Sequence, residues 1–339
     1  MTKKFAVVGT GCWAHYQLSA WQELTGAECI ALCDPVRTKA EAFAKYFSID
    51  KVYEDAEILL ETEALDFIDV ITPPETHAPL VRLAARYNVP VICQKPMALD
   101  LKTAEGMVEI CQQTNTPFMI HENWRWQYPI RQIYHILQNS DIGRPFRAHM
   151  IYANTFPVFD DQPALKVMEQ FIIADLGAHI LDTARFLFGE AHSLYCQTRR
   201  VNPEIKGEDV ATIMMKMGED ITVTCSISYT SQVEHDRFPE TFIFVECENG
   251  SVELAPDYWV QVTTIAGTSV NRYVPPRYGW ANPAHDLVHS SLVACNQNLL
   301  QAIETGQPAE TSGEDNLKTT RLVHTAYESA QTGQAIMLS

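Results

Sequence analysis

A glycine-rich turn near the N-terminus constrains the fold of this chain more than any other feature. The apolar run Phe5–Val8 leads into Gly9-Thr10-Gly11-Cys12-Trp13-Ala14, where an amphipathic helical stretch begins. In a GxGxxA pattern between strand and helix, the first glycine allows a tight turn and the second lets a pyrophosphate approach the backbone. The small last residue allows helix and strand to pack closely. The pattern predicts a dinucleotide site, with every residue from Gly9 to Trp13 contacting the cofactor.

An acidic residue at the end of the second apolar run supports this prediction. Asp34 lies twenty residues after Ala14. A carboxylate at this position binds the ribose hydroxyls of adenosine and repels a 2′-phosphate, so NAD is favoured over NADP. Arg37, three residues later, would offset part of this repulsion. The alternative is a structural glycine turn followed by an ordinary loop aspartate.

Short apolar runs alternate with helical patterns over the first 124 residues, which is typical of βαβ units and a buried parallel sheet. Strands are predicted at Phe5–Gly9, Glu28–Asp34, Lys51–Tyr53, Asp66–Thr72, Val89–Gln94 and Phe118–Glu122. Helices are predicted at Ala14–Leu24, Arg37–Phe47, Glu75–Asn88 and Asp100–Gln113. Residues 1–124 are therefore predicted to form an α/β Rossmann domain with a doubly wound parallel sheet.

The pattern changes at Trp124, after which strand-like segments follow one another on short turns. Strands are predicted from Pro145 and at Ser193–Val201, Ala211–Met217, Thr222–Tyr229, Thr241–Cys247, Ser251–Leu254 and Trp259–Thr264, with a hairpin at Asn249-Gly250. Helices are predicted at Ile130–Gln138, Glu169–Phe188, Pro283–Glu304 and Gly313–Gln331. Residues 125–339 are therefore predicted to form an α+β domain with a mostly antiparallel open sheet, which serves substrate binding and oligomerisation.

Charge and cysteine usage narrow the class of protein. The formal net charge of −17, without a basic run, disfavours nucleic-acid and anionic-membrane partners. The first apolar run is too short for a signal peptide or a membrane span. Nine scattered cysteines without a CxxC pair indicate reduced thiols, so a cytoplasmic location is predicted.

One pattern resembles a metal site. His285-Asp286-Leu287-Val288-His289 is similar to the HExxH helix of zinc proteases, but Asp replaces the general-base Glu and no convincing third ligand follows. We therefore predict no metal, and a helix at a cleft rim or subunit interface instead.

Four motifs together resemble the Gfo/Idh/MocA family of NAD(P)-dependent sugar dehydrogenases over nearly the whole chain. They are the glycine turn, Thr72-Pro73-Pro74-Glu75-Thr76-His77, Gln94-Lys95-Pro96 and Asp175-x-x-x-His179. The family usually has Glu at the position of Gln94, which leaves the usual role of that acid open, although an amide can still hydrogen-bond the cofactor. The resemblance implies an NAD-dependent enzyme that oxidises a hydroxyl of a sugar or polyol, commonly as a homodimer or homotetramer.

A finer pattern is similar to that of D-apiose dehydrogenases within the family. It consists of Ile92-Cys93-Gln94-Lys95-Pro96-Met97, His121-Glu122-Asn123 and Arg237-Phe238-Pro239-Glu240-Thr241. This resemblance implies oxidation of a branched pentose at its anomeric carbon to a lactone.

Three ionisable residues are predicted to carry the chemistry. Alcohol oxidation needs a proton acceptor and a group that stabilises the developing alkoxide. Lys95 follows a central strand at the carboxyl edge of the sheet, where ligands bind, and is predicted to hold the reacting oxygen. Asp175 and His179 would share one face of an apolar helix, with His179 as general base and Asp175 binding substrate or orienting the histidine. A solvated lysine and a structural Asp–His pair are the alternatives.

Further contacts are predicted around these groups. Additional cofactor-binding residues are Thr72, Pro73, His77, Gln94, Lys95 and Asn123. For His77, a structural role at the start of a helix is an equal alternative. The three ionisable residues above are also predicted to bind substrate, together with aromatic and amide side chains, which suit a sugar. The full set is Lys95, Asn123, Trp126, Phe156, Asp175, His179 and Tyr278.

Two other functions remain open at this point. The family contains NAD-dependent glycoside hydrolases, in which the hydride returns to the substrate. A silent dinucleotide sensor is the third reading, although a sensor has no need of Lys95 or His179.

Overall fold

The apolar runs near the N-terminus form a six-stranded parallel sheet in the computed structural model, which describes residues 1–138, 140–233 and 238–338. Its strands are β1 (Lys3–Val8), β2 (Ala27–Cys33), β3 (Lys51–Tyr53), β4 (Phe67–Val70), β5 (Val91–Gln94) and β6 (Phe118–His121). Their order, β3-β2-β1-β4-β5-β6, is the doubly wound Rossmann arrangement. The predicted α/β class is confirmed, and strand ends differ from prediction by at most two residues.

Helices connect these strands. They are α1 (Cys12–Gln22), α2 (Arg37–Phe47), α3 (Ala56–Thr62), α4 (His77–Arg86) and α5 (Leu101–Thr114). The sequence analysis missed α3, which spans less than two turns. Its signal was nevertheless present, because the Asp55 side chain accepts hydrogen bonds from the backbone N–H groups of Glu57 and Ile58 as an N-cap.

The second sheet is built from the strands β7 (Pro145–Ala153), β8 (Ala191–Arg199), β9 (Val210–Met217), β10 (Ile221–Ser228), β11 (Phe242–Cys247), β12 (Gly250–Ala255), β13 (Trp259–Thr264), β14 (Gly267–Arg272) and β15 (Ile336–Met337). They lie in the order β14-β13-β12-β11-β7-β10-β9-β8-β15. Within the described ranges, β7 and β10 pair in parallel and the other neighbours pair antiparallel. The predicted mostly antiparallel sheet is confirmed, whereas β14 and β15 were not predicted.

The remaining helices are α6 (Tyr128–Leu137), α7 (Val158–Asp161), α8 (Ala178–Phe188), α9 (Asp286–Thr305) and α10 (Gly313–Thr332). The helix predicted over Glu169–Phe188 is present but begins at Ile172, and its first turn, Ile173–Gly177, is a π turn that continues directly into α8. In the parts of the chain that the structure describes, no helix combines the length and apolar character needed to cross a bilayer.

Backbone contacts divide the chain into two units that do not follow one cut in the sequence. The first unit contains Met1–Asn123 and Arg277–Thr320, and the second contains Trp124–Pro276 and Arg321–Ser339. The sequence analysis placed all residues after 124 in the second domain. The segment from Arg277 joins the first unit because α9 packs Leu292 and Val293 against Ala20 of α1.

Candidate active site

The glycine turn has the geometry that its sequence requires. Gly9 has φ +101°, and a Cβ there would lie 2.3 Å from the Ile71 carbonyl oxygen, so no side chain fits. Gly11 caps the N-terminus of α1, and a Cβ at Gly11 would meet no described atom within 4 Å. The positive end of α1 is therefore open to an anionic group such as a pyrophosphate.

The Asp34 carboxylate is fixed at the end of β2. Its Oδ2 accepts hydrogen bonds from the Thr10 N–H at 2.9 Å and the Thr10 hydroxyl at 2.8 Å, and its Oδ1 accepts one from the Val36 N–H at 2.9 Å. Burial alone would raise the pKa of Asp34, but these hydrogen bonds outweigh it and leave the pKa below its usual value. Arg37 forms ion pairs with Glu41 and Glu54, which partly neutralise the cation that could have attracted a 2′-phosphate.

Replacing Asp34 tests its predicted role in cofactor choice. In Asp34→Ala we expect NAD affinity to fall about 10- to 100-fold, the cost of losing a charge-assisted hydrogen bond, with a smaller loss for NADP. Cofactor titrations of the variant, wild type and the exposed-loop control Asp50→Ala measure both affinities. An unchanged NAD-to-NADP ratio would contradict the ribose assignment.

His77 lies beneath two loops of the first unit. Its ring has no exposed surface. Nδ1 lies 3.0 Å from the Pro96 carbonyl oxygen, and Nε2 lies 2.9 Å from that of Thr72. The ring therefore links the loop after β4 to the loop that carries Lys95. These contacts favour the structural alternative for His77 over direct cofactor contact.

Lys95 follows β5 directly and is half-buried. Its backbone N–H donates to the Gln94 side-chain Oε1 at 3.0 Å. Asn123 is buried and donates from Nδ2 to the Ser291 hydroxyl at 2.7 Å. Lys95 thus lies at the carboxyl end of a strand of the first unit, as the sequence analysis predicted, and Asn123 follows β6 in the same unit. The contacts of both residues with cofactor or substrate stay predictions.

Asp175 and His179 do not follow the α-helical spacing on which their prediction depended. Asp175 lies in the π turn, and His179 lies in the first turn of α8. The His179 ring is stacked on Trp124, with ring centroids 4.6 Å apart, and the Trp124 indole N–H donates to the Thr241 hydroxyl at 3.1 Å. The imidazole is therefore held in a defined orientation.

Sequence reasoning missed the groups that hold the π turn. The Glu208 carboxylate accepts hydrogen bonds from the N–H groups of Phe171 and Ile173, each at 3.2 Å. The Tyr327 hydroxyl donates to Glu208 at 2.7 Å and accepts from the Ala174 N–H at 3.0 Å. These partners satisfy amides that the start of a helix otherwise leaves without acceptors. No local pattern links Glu208 and Tyr327 to a helix that begins far from both in sequence.

The other predicted substrate residues are distributed over both units. In the second unit, Arg131 lies over the Trp126 ring at 4.3 Å from its centroid, and Phe156 is stacked on Phe238. Tyr278 belongs to the first unit, where it is stacked on Trp280 with centroids 5.6 Å apart. Arg237, part of one family-like motif, lies outside the described residues.

The HExxH-like motif forms a packing contact. His289 is buried, its Nδ1 accepts a hydrogen bond from the Asn282 N–H at 3.2 Å, and its ring is stacked on Tyr16 at 4.3 Å. Burial, followed by the nearby His285, lowers the pKa of His289 to about 4. Among the described residues, no group of three or more His, Cys, Asp or Glu side chains is arranged to hold a metal ion.

The neutral state of His289 predicts an acid-sensitive stability. The unfolded chain binds a proton at His289 near pH 6.5 and the folded chain near pH 4, so this contribution is complete above pH 6.5 and is lost as pH falls. Between pH 7 and pH 5 we expect wild type to lose about 2 kcal/mol more unfolding free energy than His289→Phe. Urea unfolding at both pH values measures this, with the exposed-site variant His135→Gln as control. Equal losses in wild type and His289→Phe would refute it.

Two family models match this chain. The model of the GFO/IDH/MocA oxidoreductase family, with an NAD-binding Rossmann fold, matches residues 3–122. The model of the GFO/IDH/MocA C-terminal domain matches residues 130–253.

The chain is also similar to individual proteins over nearly its whole length. It is 39% identical to a D-apiose dehydrogenase of Paraburkholderia graminis, covering 99% of this chain and 89% of that protein. It is 38% identical to a D-apiose dehydrogenase of Rhizobium rhizogenes, covering 98% and 96%. A crystal structure of an oxidoreductase from Agrobacterium radiobacter with NAD+, L-tartaric acid and magnesium matches with a TM-score of 0.97 and 38% identity, covering 99% of this chain and 98% of that one.

Proposed function

Because this chain belongs to the Gfo/Idh/MocA family of oxidoreductases, we propose that it oxidises D-apiose at the anomeric carbon to a lactone, with NAD as cofactor. The observation that carries the proposal is the similarity, over nearly the whole length, to two D-apiose dehydrogenases. Their identity as dehydrogenases argues against both a glycoside hydrolase and a silent sensor.

The first unit fits a bound dinucleotide. The Gly9 turn admits no side chain, the N-terminus of α1 is open at Gly11, and the Asp34 carboxylate stands at the end of β2. The glycine turn and the open N-terminus of α1 match a pyrophosphate, and the Asp34 carboxylate matches an adenosine ribose. When bound, NAD supplies the hydride acceptor.

The remaining chemistry falls to side chains. Oxidation of the anomeric CH–OH breaks the C–H bond with loss of hydride and removes the hydroxyl proton, so that a carbonyl forms. Lys95 binds the reacting oxygen and stabilises its negative charge. His179, oriented by its stack on Trp124, accepts the proton. Asp175 binds neighbouring hydroxyls of the sugar.

The exposed face of the second sheet supports a homodimer or homotetramer. Met214 of β9 lies opposite Thr224, and Thr224 lies opposite His149. His149 in turn lies opposite Phe244, and Ile151 shares their face two residues along β7. Met214, Phe244 and Ile151 are all more than a third exposed, so this row offers an apolar surface to a second copy.

The location that we propose is the cytoplasm. No disulfide is formed among the described residues, which include all nine cysteines, and this fits a reducing compartment. The net charge of −17 argues against nucleic-acid and membrane partners.

A substrate screen tests the proposed function. NADH formation is followed with D-apiose, D-xylose, D-glucose and myo-inositol, each with NAD and with NADP. The proposal expects the highest kcat/KM for D-apiose with NAD. A higher kcat/KM for another sugar would refute the substrate assignment. If neither cofactor is reduced with any of the four compounds, the proposed dehydrogenase activity is refuted.

A further inference from the structure

A buried carboxylate lies in the middle of the Rossmann sheet, where no step of the proposed reaction uses it. Asp69 is on β4 and has no exposed surface. Its two oxygens accept hydrogen bonds from the Gln17 side-chain Nε2, both at 2.8 Å, and Oδ2 accepts another from the Trp21 indole at 2.8 Å. Both donors lie on α1, the helix that follows the glycine turn.

These bonds continue from Asp69 to the residue before Lys95. Since Gln17 gives its Nε2 to Asp69, its Oε1 is left as an acceptor, and it accepts from the Gln94 Nε2 at 2.5 Å. The other end of that amide, the Gln94 Oε1, accepts from the Lys95 N–H. In its ionised form, which predominates above its pKa, the Asp69 carboxylate only accepts hydrogen bonds, so it fixes the donor end of the first amide, which in turn fixes the second.

A side branch agrees with this direction. The Gln94 Nε2 also lies 3.4 Å from the His121 Nδ1, which must then accept. The His121 Nε2 therefore carries the proton and donates to the Asn296 Oδ1 at 2.9 Å. The Asn296 Nδ2 is left to donate to the Gln17 carbonyl oxygen at 3.4 Å. One assignment of protons satisfies every member of the network.

We propose that Gln17 and Gln94 are positioning residues, which transmit the orientation set by Asp69 to the backbone of Lys95. This deepens the proposed function and depends on the role of Lys95 in it. The network also explains why this chain has Gln at the position where the family usually has Glu. A carboxylate at position 94 would place one hydrogen-bond acceptor against another, the Gln17 Oε1. The Gln17 amide cannot flip to present its nitrogen instead, because that nitrogen already donates to Asp69.

The charge of Asp69 strengthens this incompatibility. Burial raises the pKa of Asp69 to about 7, although hydrogen bonds from Trp21 and Gln17 oppose the rise. A second carboxylate at position 94, one glutamine away in the same buried network, would ionise at still greater cost. The acid at position 69 and the amide at position 94 therefore depend on each other.

A double-mutant cycle tests this dependence. Both ends of the Gln94 amide bond to protein groups, which favours a positioning role over the cofactor contact predicted from the sequence. Gln94→Glu should therefore lower kcat about tenfold or more with the sugar that the enzyme oxidises, because one buried hydrogen bond is replaced by a repulsion, while the NAD dissociation constant changes less than about threefold. Adding Asp69→Asn should restore most of kcat. The amide introduced at position 69 can donate to the Gln17 Oε1, which frees the Gln17 Nε2 to donate to the carboxylate introduced at position 94. Gln301→Glu, at an exposed position on α9, is the matched control and should keep wild-type kcat.

Each outcome decides the proposal. Wild-type kcat in Gln94→Glu, or a double variant no more active than Gln94→Glu, would overturn it. If Gln94→Glu does not fold, Gln94→Met replaces it, and an unchanged kcat there would overturn it equally. If the wild type oxidises no sugar, the proposed function fails, and the cycle is then read from urea unfolding. If the double variant is more stable than the sum of the two single effects predicts, the network is still supported. Additive effects on the unfolding free energy would overturn the proposal.

Discussion

Lys95→Met should lower kcat for sugar oxidation about 100- to 1000-fold, the usual cost of removing one group that stabilises a developing oxyanion. The side chain follows β5 at the carboxyl edge of the doubly wound sheet, and methionine keeps much of its length and apolar stem without the charge. Since the predicted pyrophosphate and ribose contacts lie at the glycine turn and Asp34, the NAD dissociation constant should stay within a few-fold of wild type. Steady-state kinetics and isothermal calorimetry measure the two effects.

Two companion variants sharpen this test. Lys102→Met removes an exposed lysine from α5 and should leave kcat unchanged. Lys95→Arg keeps the charge but changes its shape, so its kcat should lie between those of Lys95→Met and wild type. A Lys95→Met enzyme with near-normal kcat would remove Lys95 from the reaction.

Asp182→Ala should lower the free energy of unfolding by about 3–5 kcal/mol, because it removes a buried carboxylate to which an equally buried arginine donates two charge-assisted hydrogen bonds. Asp182 and Arg125 are almost fully buried, and the guanidinium donates from Nε and Nη2 to the two carboxylate oxygens, both at 2.6 Å. Arg185 approaches the same carboxylate at 4.0 Å. Urea unfolding followed by circular dichroism gives the change directly.

The matched control is an exposed pair in the same unit. Lys206 and Glu169 lie 3.1 Å apart and are both more than half exposed, so Glu169→Ala should cost at most about 1 kcal/mol. Replacing both buried partners, as Arg125→Met with Asp182→Leu, should recover most of the loss, since no unpaired charge remains. A loss below about 1 kcal/mol in Asp182→Ala would contradict the paired, buried state of this carboxylate.

The Rossmann half was predictable because its signals are local. Gly9 and Gly11 follow the first strand, and Asp34 follows the second at a fixed distance along the sequence. Short buried strands are recognisable in the sequence as apolar runs. The same local reasoning gave Lys95 its place at a strand end. Local reasoning failed at α3, because the N-cap signal of Asp55 was overlooked.

The rest depends on contacts between residues far apart in the chain. Glu208 and Tyr327 reach the amides around Asp175 from distant segments, so no pattern near Asp175 could reveal the π turn. The link from Gln17 to Gln94 likewise spans 77 residues. The segment from Arg277 was misplaced because its helical periodicity shows that it packs, but not against which sheet.

Isotope transfer from the sugar to the cofactor tests the central claim most directly. The enzyme is incubated with NAD and D-apiose that carries deuterium at the anomeric carbon, and both products are analysed by mass spectrometry. The account predicts one deuterium in the reduced cofactor and an unlabelled lactone. Sugar that keeps its deuterium, with no label in the cofactor, would contradict hydride transfer from this carbon.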